Sequence, residues 1–198
     1  MRLPTTAHTG RPWRIHGFAA DFRVEDVWSY RTPGAGPDDF PVMLAALRAG
    51  TGGRRPLPVR ALFAARRGLG ALLGWDRPDA GPGRALPTLR DRLPDGLRAT
   101  ADPARDDGLP LAPVYELPDE AVREVANRTV HALMHLGWVP TGDGGHELRM
   151  AVLVKPRGRL GRRYMALIAP FRHLVVYPAL TRQWERAWRD RPRPPARG

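Results

Sequence analysis

Two histidines four residues apart, His131 and His135, stand in the segment NRTVHALMHLGW at positions 127–138. Imidazole is the side chain best matched to proton transfer near neutral pH. Read as a strand, period 2 puts Asn127, Thr129, His131, Leu133 and His135 on one face. Arg128, Val130, Ala132, Met134, Leu136 and Trp138 fall on the other. Read as a helix, the i, i+4 spacing keeps the two histidines together as well. The pair fits three roles: a general base with its partner, two metal ligands, or polar side chains satisfied within a sheet. Metal is the weakest of these. Ala132, Leu133 and Met134 separate the histidines, so the glutamate of HExxH is missing and no third ligand is evident. No metal and no other cofactor is expected.

Glu116 is the acidic candidate beside them. It lies in a short apolar segment, and a partly buried carboxyl there would hold its proton more tightly and serve as acid or base. Arg172 and His173 are the polar interruptions of an apolar run from Tyr164 to Leu180. A buried guanidinium is costly unless paired, and Glu116, Glu124 and Asp91 are the carboxylates suggested for it. The alternative role for Arg172 is a clamp on an anion or carbonyl inside a cavity. Tyr164 and Tyr177 read as packing residues with hydroxyls at a rim. Arg172, His173, Tyr164, Tyr115, Asn127, Met134 and Phe171 make up the expected substrate-binding set, with His131, His135 and Glu116 as the catalytic one. Asp91 and Arg92 are expected to form a local ion pair.

The elements that position these residues follow from patterning. Pro12 to Phe18 reads as a first strand, and Asp21 or Asp26 as the start of a short helix through Trp28. Helices are expected at 40–49 and 59–73, a strand edge and turn at 88–97, and a strand at 111–117. Residues 119–126 are ambiguous between short helix and twisted strand. The strand at 127–139 ends at Pro140-Thr141-Gly142-Asp143-Gly144-Gly145 and pairs as a hairpin with 148–155. A long helix follows, about 160–189, apolar all round between Tyr164 and Leu180 and so expected to be buried on most sides. Pro170 and Pro178 should bend it, and with Arg172 and His173 inside, it makes a poor membrane span. The expected fold class is α+β, an antiparallel sheet against this long C-terminal helix.

Composition narrows the function. A chain of 198 residues suits one domain, assigned to 1–190, with 191–198 a disordered basic tail holding three prolines and three arginines. The absence of cysteine excludes disulfides and thiolate chemistry. With no charged start leading into an apolar run, a cytoplasmic protein is expected. The net charge of +12 is concentrated at the end: residues 155–198 carry +10 and residues 1–154 only +2. Lys155 is the one lysine among 32 cations, a bias that reads as genome composition. Aromatic residues are not interleaved with this charge, so no specific nucleic-acid binding is expected. No phosphate loop, nucleophile elbow or dinucleotide fingerprint is present.

The strings TLRDRLP, VYELPDE, NRTVHALMHLGWV and YMALIAPFRHLVVYPAL resemble a bacterial, mainly actinobacterial, family of unknown function. A related domain also occurs fused behind some short-chain-type nucleotide-binding proteins. The resemblance spans about Pro12 to Trp188. More remotely, the order of elements is similar to the helix-grip superfamily of START domains and polyketide cyclases (SRPBCC). That resemblance implies a sheet gripping the C-terminal helix around an internal cavity for a hydrophobic small molecule. Two functions are expected from it. One is a cofactor-independent cyclase, dehydratase or isomerase acting on a polyketide-like metabolite by general acid–base catalysis. The other is a non-catalytic carrier or sensor of a lipid or hydrophobic metabolite. Homodimerisation is left open.

Overall fold

The computed structural model describes residues 1–51, 88–102, 111–126, 130–156 and 166–192. In chain order, strand β1 (Arg2–Leu3) and the single turn α1 (Thr6–Thr9) lead to a 3-10 turn at Arg14–Gly17. Strand β2 (Arg23–Tyr30) and helix α2 (Phe40–Thr51) follow. A 3-10 turn at Arg90–Arg92 and the short helix α3 (Asp95–Arg98) precede four strands: β3 (Ala112–Glu116), β4 (Glu120–Ala126), β5 (Val130–Pro140) and β6 (His146–Pro156). Helical residues 166–171 run through a π-helical stretch, Arg172–Val176, into α4 (Tyr177–Arg189).

The six strands form one antiparallel sheet in the order β1-β2-β6-β5-β4-β3. The chain therefore builds β3 to β6 as successive neighbours and closes the last strand against the first long one. The β5–β6 hairpin turns where the sequence indicated. Gly144 takes φ +83° there, a conformation that suits glycine, and the Thr141 amide donates to the Gly145 carbonyl at 2.9 Å.

Both faces of this sheet are covered. On one, α2 and α4 pack over Tyr30, Met134, Leu136, Trp138, Leu148 and Met150, with Trp184 and Trp188 of α4 fully buried. The Trp138 and Trp188 indole N–H groups donate to the Gly36 and Pro33 carbonyls, so both aromatic anchors are satisfied as well as packed. On the other face, residues 13–22 and 88–97 cover Val114, Val122, Leu133, Val139 and Leu153. Trp13 lies directly on Gly137: a Cβ there would stand 2.6 Å from the indole. Period 2 is thus present along β5, yet both of its faces are dry. The polar row containing His131 and His135 belongs to the face under the N-terminal arm, and Met134, Leu136 and Trp138 belong to the helix face.

Several sequence expectations are corrected. The expected strand at 12–18 is replaced by a 3-10 turn at Arg14–Gly17, and the expected helix through Trp28 is strand β2. The 88–97 segment is a 3-10 turn and α3, with no strand. Residues 120–126 settle as a strand because both neighbours, β3 and β5, pair with them. The C-terminal helix is not buried all round. Leu167 and Leu174 are 68% and 78% exposed, so the apolar run turns one flank outward. The expected helix at 59–73, Asn127, Tyr164 and the tail from 193 lie outside the described residues. Arg191 stacks over the Trp188 ring at 3.4 Å.

Candidate functional site

Two one-residue irregularities meet at one carboxylate. In β2, Val24 pairs with Leu153 and Asp26 with Val152, which leaves Glu25 as an extra residue. Unbulged, Val24 and Asp26 would share a face. The bulge leaves Val24 against the arm-side core and delivers Asp26 to the helix side, and bulges serve to re-aim side chains in this way. Across from it, the C-terminal helix widens into a π turn in which the Tyr177 amide donates to the Arg172 carbonyl. Pro178 lacks the N–H that the Leu174 carbonyl would otherwise accept, which favours a local departure from α-helical bonding. Such bulges recur at functional sites.

Asp26 is fully enclosed, and both of its oxygens are occupied. His173 Nε2 lies 2.7 Å from Oδ1, and the Tyr177 hydroxyl donates to Oδ2 at 2.8 Å. The Arg172 guanidinium is 3.3 Å from Oδ2 and 3.7 Å from Glu25, and exposed Arg2 reaches within 3.8 Å. A buried carboxylate needs this company, since each lone pair left bare would cost free energy. Burial pushes the Tyr177 phenol well above its ordinary value; Arg172 opposes that and Asp26 reinforces it, so Tyr177 stays a proton donor. The His173 ring stacks on Tyr177 with centroids 5.7 Å apart and remains 28% exposed. In the tautomer whose Nε2–H donates to Asp26, Nδ1 is the acceptor. In this Asp–His dyad, Asp26 thus orients a histidine whose side chain is partly exposed.

Of the other residues named from sequence, some join this side of the sheet and others do not. Arg172 meets Asp26 and Glu25, not Glu116, Glu124 or Asp91. Glu116 forms a two-pronged ion pair with Arg48 and ties β3 to α2. Asp91 accepts from Thr88, while Arg92 reaches across to Asp21, so these two do not pair with each other. Met134 and Phe171 pack on the helix side, near the dyad's core.

His131 and His135 sit on the opposite face. His131 pairs with Glu124, which also accepts the Leu89 amide at 2.5 Å, and the Phe22 ring closes over it edge-on at 4.7 Å. His135 lies 3.8 Å from Glu120 and is enclosed by Trp13 and His8. Glu120 accepts the Tyr115 hydroxyl and the Arg14 amide. Burial raises the Glu120 carboxyl, but His135, Tyr115 and Arg14 outweigh it and hold it below its ordinary value. Tyr115 is driven up by burial and by that carboxylate. The sequence-named set is therefore divided by the sheet. Asp26, expected from sequence only as a possible helix start, and His8 and His16 are not among the sequence-named site residues. Two adjacent acids inside RVEDVWSY were the available signal for Asp26.

A family model described as "Protein of unknown function (DUF2867)" matches residues 18–179. The chain belongs to this family. No curated protein and no solved structure matches it. The DUF2867 span takes in Asp26, the sheet from β2 to β6, His173 and Tyr177; His8, Trp13 and His16 lie before it. Among the described residues no cluster of His, Asp and Glu is arranged to hold a metal ion, and no helix is long and apolar enough to cross a membrane.

Proposed function

We propose that this DUF2867 domain performs general acid–base chemistry on a hydrophobic small molecule, with His173 as the base and Asp26 as its orienting partner. The observation that carries this reading is the convergence of a strand bulge and a π turn on a single dyad. Each irregularity gives up regular hydrogen bonding, and together they bring a buried carboxylate against a partly open imidazole. The order of elements supports a helix-grip arrangement: the first long strand lies beside the last, and the C-terminal helix crosses the sheet. In that arrangement a ligand would lie between sheet and helix, beside Met134 and Phe171. Kinship of fold sets the expectation of a hydrophobic ligand, and the dyad supplies the chemistry. The reaction class is a cofactor-independent cyclisation, dehydration or isomerisation. Here Nδ1 of His173 removes a proton from carbon or oxygen, and Asp26 stabilises the imidazolium formed. A positioned base of this kind typically contributes about 10²–10⁴-fold.

The test is turnover of synthetic poly-β-ketone thioesters, followed by mass spectrometry. His173→Gln should lower the rate by about 10²-fold or more, because the amide can still donate to Asp26 but cannot take a proton. Equal turnover by the variant would remove His173 from the reaction. A hydrophobic compound that co-purifies with the protein and is released unchanged would favour the carrier reading.

A further inference from the structure

The N-terminal arm crosses the outer face of the sheet and is fastened at both ends. At one end β1 pairs with β2, and the terminal ammonium donates to the Ser29 carbonyl at 2.6 Å. At the other, Asp21 is gripped by Arg92 at 2.8 Å and Lys155 at 2.7 Å. Between these anchors, residues 4–17 are held by Trp13 on Gly137, by buried Ile15, and by three histidines from three elements: His8 of α1, His16 of the 3-10 turn and His135 of β5. His8 Nδ1 and His16 Nε2 are 3.3 Å apart, and the His8 ring meets His135 edge-on at 4.9 Å. Nε2 of His8 and Nε2 of His135 are both buried and have no hydrogen-bond partner among the described residues.

The chemistry of this cluster is one-sided. An imidazole–imidazole hydrogen bond needs one unprotonated nitrogen, so it cannot survive when both rings are charged. Among the described residues Glu120 is the one carboxylate beside the cluster, and it already accepts from Tyr115 and Arg14 besides facing His135. It can offset one added proton, not two. The other charges nearby give little help. Arg149 donates toward the Ala7 carbonyl and is tied to Glu147, and Arg11 and Arg14 add positive charge. His131, farther along under Phe22, has Glu124 for itself, so protonating it strengthens a pair.

We infer that residues 4–17 are a strap that the His8–His16–His135 cluster holds shut while neutral, and that lifts off the sheet, still tethered at both ends, when the cluster takes up protons. Burial, with His135 and His16 adding to it, pushes His8 down to about 3, and burial together with His135 also lowers His16. The closed strap therefore binds fewer protons than the open one, and opening becomes easier as pH falls from 6.5 toward 3. Asp21 moves the other way: hydrogen bonds from Arg92 and Lys155 outweigh its burial and hold it well below the usual carboxylate range, so the anchor outlasts the latch. Residues 4–17 also lie before the span that matches the DUF2867 family, so the strap stands outside the matched domain.

Hydrogen exchange of the full chain, read by mass spectrometry from pH 8 to 4 and corrected for intrinsic exchange, tests this directly. Protection of the amides of His8, Gly10 and His16 should be flat above pH 7. Below that it should fall about tenfold per pH unit for each proton taken up. Amides of the β5–β6 hairpin should keep their protection. His8→Leu should flatten the fall, and half-buried His16→Gln serves the same purpose where the buried substitution fails to fold. Strap protection that does not change with pH, strap and hairpin amides lost together, or an unchanged slope in a folded variant would each overturn the inference.

Discussion

The two faces of the sheet carry the same chemical parts and put them to different use. Under the arm, Glu124 with His131 and Glu120 with His135 are closed in by Phe22, Trp13 and His8, and both imidazoles are almost wholly buried. Under the C-terminal helix, Asp26 is just as enclosed, but its histidine keeps an edge in the open. A carboxylate–imidazole pair is thus no mark of function by itself. What separates the two is access, and access here comes from where a strand bulge and a π turn place one ring.

If the arm face is structural, breaking its pairs should cost stability before anything else. His131→Ala leaves Glu124 buried without its partner and should destabilise the fold by about 3–5 kcal/mol in urea unfolding. A loss under ~1 kcal/mol would show that this pair is dispensable. On the helix face, Tyr177→Phe removes a hydrogen bond to a buried carboxylate and should cost about 1.5–3 kcal/mol. Gly137→Ala asks whether Trp13 must lie on bare backbone. The added methyl cannot fit beneath the indole, and a cost of about 1–3 kcal/mol from overpacking is expected, with hydrogen exchange faster in residues 4–17 than in β6.

The pattern legible in the sequence was that of the hairpin. Gly144 needs a left-handed turn, and alternation on both sides of it set the register, so the shared face of His131 and His135 was readable from 127–138 alone. What lies over that face was not readable. The arm is a stretch of turns without periodicity, and its hold on β5 depends on Trp13 fitting a glycine 124 positions away. Asp26 escaped for a related reason: the bulge at Glu25 breaks the period that marks a strand, so RVEDVWSY read as a helix start. The apolar run from Tyr164 to Leu180 looked buried on all sides, because composition does not tell which flank of a helix meets the sheet. Leu174 shows that one flank does not.

Acid sharpens the comparison with smaller effects. His8 is held near 3 in the folded chain against an ordinary 6.5, so the unfolded chain binds the extra proton between those values. Stability should be level above pH 6.5 and decline below it, by at most about 1.4 kcal/mol per unit for that one proton. Urea midpoints at pH 7.5, 6 and 5 measure it. His173→Gln should have the least effect on folding, about 1 kcal/mol or less, since its amide still donates to Asp26.

What distinguishes His173 from His131 and His135 is that a fully buried carboxylate orients it while its side chain stays partly exposed. Ethoxycarbonylation by diethyl pyrocarbonate, followed residue by residue by mass spectrometry on the folded protein, tests it without knowledge of the substrate. His173 should react far ahead of His131 and His135, and Asp26→Asn should slow that reaction. Arm-face histidines reacting as fast as His173 in the folded chain, or a His173 rate untouched by Asp26→Asn, would contradict it.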